Sequence, residues 1–477
     1  MNMNLTKKIA HNTAIQFVGK AVSTLLGLIA ISIMTRYLGV EKFGWYATAI
    51  GFLQFIGIMT DFGFTVITSA MMSEPQHNKQ KLLDCLFSWR ATTGLVIYSA
   101  SIAIIFVFPY PTVIKLAVAI LSISFFSISL NQIFIGYLQH KLQMITQIIG
   151  EVLGRIFLVI GLAFVAKTDM GFLTVIAVVA CTSLIYTIYL WSKIRVKMCF
   201  DRIISKAIWI KLWPVALSVM FNAIYLQGDK LLLPLFVSQT DMGLYGAAYR
   251  VLDIVAQGAS ITMGIMMPLV AFAWSRKQAT EFKKRSQMSV DLMALILLPM
   301  AGGIFALSTP IMILVGGTQF KASGAILGIL CLAIIGIAMG MAFGHLNLAM
   351  GKQKQTMWIF ATDAVLALVG YLLFIPRFGI WGAVWVSVIA EFYAGIGLLI
   401  MFIHYSKVQL RFRAVIKIAC SAVIMTILVS FLPSPHVVAS IIYGAIIYSI
   451  LIICFNVISK QTITEALAKD DLEKLVE

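Results

Sequence analysis

Charged residues are scarce in this chain of 477 residues: Asp, Glu, Lys and Arg together make up only 12% of it. A soluble domain carries about 25% charged residues, so the composition excludes a soluble globular protein. Hydrophobic residues account for 61% of the chain. This balance indicates an integral membrane protein.

Motifs for metal, nucleotide and hydrolase chemistry are also missing. The six cysteines are widely spaced, without a C-x-x-C pair or a Cys/His spacing suited to zinc. We therefore expect neither a disulfide framework nor a zinc site. No G-x-x-x-x-G-K-[ST] sequence is present, which excludes a P-loop site for ATP, and neither G-x-S-x-G nor H-E-x-x-H occurs. We expect no cofactor and no enzyme.

The chain contains fourteen apolar segments of a length that suits a ~30 Å hydrocarbon core, at ~1.5 Å per helical residue. We therefore predict an all-α membrane protein with about fourteen transmembrane helices. The segments cover residues 9–35, 43–72, 82–108, 113–137, 145–166, 171–192, 209–235, 243–272, 288–313, 322–349, 356–375, 380–403, 415–432 and 437–458.

The formal net charge of +17 indicates membrane orientation rather than a nucleic-acid partner. If the segments alternate in direction, about 25 basic residues fall on one side of the membrane and about six on the other. The positive-inside rule then predicts that both termini lie in the cytoplasm, which requires an even number of spans. The basic loop residues are expected to meet lipid headgroups.

Residues 35–70 read TRYLGVEKFGWYATAIGFLQFIGIMTDFGFTVITSA and predict the end of one helix, a tight polar turn and most of a second helix. They contain the pattern R-x-L-G-x-E-x-F-G-x-Y, followed by D-F-G-F at residues 61–64. This pattern resembles the opening of Wzx-like bacterial polysaccharide flippases, the polysaccharide transporter branch of the multidrug/oligosaccharidyl-lipid/polysaccharide exporter superfamily. The residues that carry it are Arg36, Leu38, Gly39, Glu41, Phe43, Gly44 and Tyr46.

Two blocks of six segments resemble each other at an offset of about 200 residues, which indicates a duplication. For example, Gly44 opens a G-W-Y-A sequence in the second segment, and Gly243 opens G-L-Y-G in the eighth. Because six is even, the two lobes are predicted to share one orientation, related by a pseudo-two-fold axis along the membrane normal. The predicted domains are a first lobe (1–192), a cytoplasmic linker (193–208), a second lobe (209–403), helices 13 and 14 (404–459) and a cytoplasmic tail (460–477).

Charges inside the predicted spans are the candidate functional residues, because a charge in the bilayer core needs a partner or water. Lys20 and Arg90 lie about 16 Å and 12 Å into their helices and have no acid one turn away. We expect both to face a solvated cleft, with snorkelling as the alternative for Arg90. The cargo-binding candidates are Lys20, Arg90, Arg155, Lys230 and Arg250, and the ion-coupling candidates are Asp61, Asp229, Asp253, Asp363 and Glu391.

Some of these charges also fit a purely structural role. Arg155 has Glu151 at i−4 and Arg250 has Asp253 at i+3, spacings that favour ion pairs within a helix. The single acids Asp61, Asp363 and Glu391 are expected to bind a proton or a cation. The alternative is that a lysine or hydroxyl groups satisfy each of them across a helix interface.

The resemblance implies a flippase of the bacterial cytoplasmic (inner) membrane that carries undecaprenyl-pyrophosphate-linked oligosaccharide repeat units. The destination is the periplasmic leaflet, for O-antigen, capsule or exopolysaccharide assembly. Cations in the membrane core suit a pyrophosphate. Alternating access, coupled to a proton or sodium gradient, is the expected mechanism. A polysaccharide polymerase and a chain-length regulator of the same pathway are the expected protein partners.

Two alternatives from the same superfamily remain open: a cation-coupled multidrug exporter and a flippase for a peptidoglycan lipid precursor. The unpaired Lys20 favours an anionic cargo over a cationic drug. A membrane polysaccharide polymerase or ligase belongs to another class. It is disfavoured because the outer loops have roughly ten residues or fewer, too few for a working lid or domain.

Overall fold

The computed structural model describes residues 3–73, 78–141, 143–431 and 436–457. All regular structure in these ranges is helical, as expected where a bilayer offers backbone groups no partner outside their own segment. The predicted tail, 460–477, lies outside the described residues. The first eight helices are α1 (Met3–Asp61), α2 (Phe64–Ser73), α3 (Lys79–Ile105), α4 (Thr112–His140), α5 (Met144–Thr168), α6 (Phe172–Lys193), α7 (Arg202–Leu232) and α8 (Gln239–Ser275).

The later helices follow one another through short connections. Two short 3₁₀ helices, Leu233–Leu235 and Thr318–Phe320, follow α7 and the ninth helix. The remaining helices are α9 (Ala279–Gly316), α10 (Ser323–Leu330), α11 (Ala333–Ala349), α12 (Gln353–Phe378), α13 (Ile380–Ser406), α14 (Arg413–Phe431) and α15 (Val437–Cys454).

Fourteen helical segments of membrane-spanning length are present in the described ranges, which confirms the predicted count. Eleven stretches are both long and apolar enough to cross a membrane. One of them, Val18–Asp61, has 44 residues, enough for two crossings at ~1.5 Å per residue. Helices α10 and α11 form one stretch, Ser323–Ala349. Helices α3 and α7 are 27 and 31 residues long and more polar. The chain is an all-α, multi-pass membrane protein.

The predicted turn between the first two membrane segments is a kink inside α1. Gly39 leaves the helical conformation, with φ 69° and ψ 178°, a region that glycine enters without steric cost. The polar residues that follow it stay helical. The predicted second segment, 43–72, is broken after Asp61, because Phe62 and Gly63 adopt φ values of 44° and 86°.

Packing divides the described residues into two compact units, one that ends at Gly243 and one that begins at Leu244. In the first unit, Phe87 and Phe134 stack at the centre of a core formed by α2, α3, α4 and the start of α7. In the second, Phe282 and Phe402 pack with residues of α8 and α11. The first unit includes α7, which the sequence assigns to the second lobe. The boundary between packed units and the boundary between duplicated sequence blocks need not fall at the same residue. The two lobes therefore stay a prediction.

The linker between α6 and α7 folds back onto the start of α3. Cys85 of α3 and Cys199 of the linker form a disulfide, so the expectation of no disulfide is wrong for this pair. The two residues are 114 positions apart, and spacing along the chain does not reveal that the linker returns to α3. Lys81 donates a 2.6 Å hydrogen bond to Asp201. That bond and the N–H of Ile204 hold the pKa of Asp201 below its ordinary value.

Candidate functional site

Lys20 lies in the first half of α1, about midway between Met3 and the Gly39 kink. Its Nζ donates to Glu151 Oε1 of α5 at 3.0 Å, and Ser23 Oγ donates to the same oxygen at 2.7 Å. The Lys20 side chain is 38% exposed and that of Glu151 17%. An unpaired ammonium in the bilayer core would be costly, and Glu151 offsets that cost across the α1–α5 interface.

Arg155 adds a second cation to this cluster. Glu151 forms its salt bridge with Lys20 across the α1–α5 interface, while Arg155, the intrahelical partner expected from the sequence, acts on Glu151 electrostatically. The guanidinium of Arg155 lies beside Gly27, where a Cβ would be 3.5 Å from its Nη1. Two cations and one carboxylate leave one net positive charge in the middle of a membrane-spanning helix pair.

Arg90 is almost fully enclosed, with 1% of its side chain exposed. Its Nε and Nη1 donate to the carbonyl oxygens of Ser129 at 3.2 Å and Thr60 at 2.6 Å, and its Nη2 donates to Gln132 Oε1 at 2.9 Å. Nη2 also lies 3.2 Å from Asp61 Oδ1. The side chain therefore ties α3 to α1 and α4.

Asp61 completes this network at the break between α1 and α2. Its Oδ1 accepts from Thr65 Oγ1 at 2.7 Å, and its Oδ2 accepts from the Gly63 N–H at 3.2 Å. The acid thus caps α2 while it neutralises Arg90. These contacts correct the expectation that Arg90 faces a solvated cleft: its partners lie on other helices, beyond the reach of one-turn spacing.

Asp229 and Lys230 are buried near the end of α7, with 1% and 8% exposed. Lys230 Nζ donates to Gln227 Oε1 at 3.1 Å. Gly51 of α1 lets the two helices approach closely, since a Cβ there would be 2.9 Å from the Cβ of Lys230. The structure therefore places both predicted site residues at a helix interface.

Arg250 and Asp253 form the ion pair that their i, i+3 spacing predicts on α8. Arg250 Nη1 lies 3.5 Å from Asp253 Oδ2, and the two side chains are 25% and 36% exposed. A pair this accessible contributes at most about 1 kcal/mol to stability. Both charges can therefore meet a ligand at small cost.

Asp363 of α12 is fully buried, and neither of its carboxylate oxygens has a hydrogen-bond partner in the described part of the chain. Glu391 of α13 acts on it electrostatically. Helix α11 packs on the backbone of α13 at this level, because a Cβ at Gly336 would be 2.7 Å from the Cβ of Glu391. A buried carboxylate without a donor is stabilised by taking up a proton or a cation.

The positions of charged residues in the sequence do not reveal their uncharged polar partners. Ser23 shares the carboxylate oxygen of Glu151 with Lys20, and Gln132 accepts from both Arg90 and Thr65. Each lies inside an apolar run, where an amide or hydroxyl needs a hydrogen-bond partner. Hydroxyl and amide side chains inside apolar runs are therefore the sequence signal for these partners.

Gly44 and Gly243 allow a close approach between α1 and the start of α8. A Cβ on Gly44 would collide with the carbonyl of Gln239, and a Cβ on Gly243 would collide with the carbonyl of Val40. The two glycines occupy equivalent positions in the predicted duplication. Their mutual contact explains why both positions lack a side chain.

A family model described as "Polysaccharide biosynthesis protein" matches residues 33–325, well over half of the chain. The chain belongs to this family. The succinoglycan biosynthesis transport protein ExoT of Rhizobium meliloti (strain 1021) is 23% identical to this polysaccharide biosynthesis protein over 342 residues, 69% of the chain and 66% of the relative. The match thus spans just under two thirds of that relative's length.

Solved structures with a similar fold are membrane transporters. The lipid II flippase MurJ, in an inward closed conformation, aligns with a TM-score of 0.74 at 15% identity, covering 92% of this chain and 98% of MurJ. An inward-facing multidrug resistance MATE family transporter of the MOP superfamily aligns with a TM-score of 0.68 at 15% identity, covering 81% and 94%. These likenesses show the fold alone. The family match confirms the resemblance to polysaccharide biosynthesis proteins inferred from residues 35–64.

Proposed function

We propose that this polysaccharide biosynthesis protein is a flippase. Its cargo is an undecaprenyl-pyrophosphate-linked oligosaccharide repeat unit, which it moves from the cytoplasmic to the periplasmic leaflet by alternating access. The observation that carries the proposal is the partly exposed, net-positive cluster of Lys20, Arg155 and Glu151 within two membrane-spanning helices.

Phosphate chemistry fits that cluster. An ammonium offers a point charge to phosphate oxygens, and a guanidinium offers a planar fork. Glu151 fixes the position of Lys20 through the 3.0 Å ion pair, and a phosphate oxygen competes with it for the same ammonium. A cationic drug would meet net repulsion here, so the cluster disfavours a multidrug exporter.

The other predicted cations divide into two roles. Lys230 and Arg250 stay proposed contacts of the cargo. Arg90 is assigned a positioning role instead, because each of its three guanidinium nitrogens is engaged by the protein. It holds α3 against α1 and α4 and so stabilises the packing of the first unit.

The names of the relatives support a polysaccharide precursor as cargo. ExoT is described as a transport protein of succinoglycan biosynthesis, and MurJ as a flippase for lipid II. The first is similar to this chain in sequence and the second in fold. These names support the proposal that the protein transports a lipid-linked sugar, in a pathway with a polysaccharide polymerase and a chain-length regulator.

Liposomes test the proposal directly. Purified protein should make a pyrophosphate-linked oligosaccharide lipid accessible to a membrane-impermeant reagent on the far leaflet, without changing its mass. Lys20→Ala should slow this at least about tenfold, whereas Lys167→Ala, an exposed lysine at the end of α5, should not. A changed mass would indicate a polymerase or ligase. Transport of a cationic drug in place of the sugar lipid would indicate an exporter.

Ion coupling is proposed to reside at Asp363 and Glu391. Asp363 has no hydrogen-bond donor among the described residues to offset its charge, so it binds a proton or a sodium ion in one state and releases it in another. Asp363→Asn should abolish the acceleration of flipping by an imposed proton or sodium gradient. Asp241→Asn, which changes an acid in the first turn of α8, should keep it. Unchanged gradient dependence in Asp363→Asn would refute this assignment.

The proposed location is the bacterial inner membrane, with both termini in the cytoplasm. The loop charges support it, since basic residues concentrate on one side of the membrane. An enzymatic reporter that is active only outside the cytoplasm should stay inactive when fused after residue 477. An active fusion would show that residue 477 lies outside the cytoplasm and would contradict the proposed orientation.

A further inference from the structure

A basic cavity of about 580 Å³ opens at one end of the first unit. It is lined where the ends of α4 and α6 meet the starts of α3 and α5. Three cations, Lys141, Lys193 and Arg195, contribute to its wall together with Gln80 and Gln143. No lining residue is acidic. Its volume lies in the range of small-molecule sites.

The three cations are exposed, and no ion pair involves them in the described ranges. Lys141 Nζ lies 4.7 Å from the ring centroid of Tyr137, and Lys193 Nζ lies 5.9 Å from that of Tyr189. An aromatic ring orients an ammonium without using its N–H donors. These donors therefore stay available to an anion.

The acid at this end of α3 is already engaged. Asp84 Oδ1 accepts from the side chain of Gln80 at 3.0 Å and from the backbone N–H of Lys197 at 3.1 Å. Gln80 also donates to the carbonyl of Arg195 at 2.9 Å. This network fixes Gln80 and Arg195 in the cavity wall and engages the Asp84 carboxylate with N–H donors.

An apolar row leads away from the cavity along α5. Its members are exposed by 38–59% although they are Ile or Phe. The row covers about 28 Å at 1.5 Å per residue, close to the thickness of a hydrocarbon core. It begins at the cavity wall and consists of Ile145, Ile149, Ile156, Phe157, Ile160 and Phe164.

We propose that this cavity binds the phosphate headgroup of an anionic glycerophospholipid, whose acyl chains lie along the row on α5. The cations offer an anion site, and basic pockets between membrane helices bind acidic headgroups. The adjoining apolar row distinguishes a lipid from a soluble phosphate, because a free anion gains nothing from it. By the loop charges, the cavity lies at the cytoplasmic leaflet.

The test compares two triple variants of the full chain in nanodiscs. Lys141→Ala, Lys193→Ala and Arg195→Ala together remove the cavity cations. Lys197→Ala, Arg202→Ala and Lys206→Ala remove three exposed cations of the neighbouring linker and α7. Native mass spectrometry measures retained phosphatidylglycerol, with phosphatidylcholine as the neutral comparison. Each cation should contribute about fivefold, so the cavity variant should lose about a hundredfold.

Three further measurements make the outcome decisive. The charge-conserving set Lys141→Arg, Lys193→Arg and Arg195→Lys should retain the lipid, and Lys193→Gln alone should weaken it about fivefold. Inorganic phosphate should fail to displace it. Equal losses in the two triple variants would overturn the proposal, as would efficient displacement by inorganic phosphate or a preference for undecaprenyl phosphate over phosphatidylglycerol.

Discussion

Lys20 and Glu151 form an ion pair, and a nearly isosteric substitution of either residue removes it. Lys20→Met removes the positive partner, and Glu151→Gln removes the negative one. If the ammonium of Lys20 binds the phosphate of the cargo, Lys20→Met should block transport. Glu151→Gln should leave transport intact, because it frees that ammonium from its competitor.

The structure sets the size of each effect. At 3.0 Å and an effective dielectric constant of about 20, the charges attract by about 5–6 kcal/mol before desolvation. The protein encloses the pair only in part, since Lys20 is 38% exposed. Its net worth therefore falls between that of exposed pairs and that of buried pairs, at about 1–2 kcal/mol. A phosphate contact with an ammonium contributes about 1.5–3 kcal/mol, or about 10- to 150-fold in affinity.

The double variant Lys20→Met/Glu151→Gln separates the two roles. It removes both charges of the pair and leaves the net charge of the cluster at +1, now on Arg155, so stability should return close to that of the unsubstituted protein in thermal unfolding assays. The transport rate in liposomes should stay at least about tenfold below that of the unsubstituted protein. Surface polysaccharide in cells provides a second measurement, with protein abundance in the membrane as its control. Recovery of transport in the double variant would show that Lys20 serves only as a structural partner.

Two further predictions concern the packing of the first unit. Arg90→Met should lower the free energy of unfolding by about 3–5 kcal/mol, because it leaves Asp61 without its charge partner; thermal unfolding measures this, and adding Asp61→Asn should recover part of the loss. Gly44→Ala or Gly243→Ala should reduce the folded yield in size-exclusion chromatography, since each new Cβ meets a backbone carbonyl. Gly258→Ala, whose Cβ would meet no described atom within 4 Å beyond its own stretch of helix, should be neutral or stabilise by up to about 1 kcal/mol. Equal yields for all three glycine variants would contradict the packing argument.

Much of the fold follows from the sequence, because segment length and apolar content are local properties that lipid selects directly. The sequence predicts fourteen segments, and the described part of the chain contains fourteen. The kink at Gly39 was not predicted, because polar residues around a glycine usually signal a turn. Here a single residue with positive φ reorients the chain while its neighbours remain helical.

The partners of the buried charges did not follow from the sequence. Spacing within one helix reveals only pairs three or four residues apart, which is why Arg250 and Asp253 were paired correctly. Glu151 lies 131 residues from Lys20, and the partners of Arg90 come from two other helices. Such contacts depend on helix rotation and depth, which are set by packing and not by hydropathy.

The R-x-L-G-x-E-x-F-G-x-Y pattern identifies the family without naming the cargo, and the structure gives the reason. Gly39 forms the kink of α1, and Phe43 and Tyr46 are buried at 1% and 9% exposure. Gly44 admits the backbone of α8 at Gln239. These roles belong to folding and packing, so any transporter with this fold gains from them. Under the proposed function, cargo choice depends instead on charges such as Lys20, whose partner lies on another helix. Substitutions there should alter transport while leaving the motif and its packing intact.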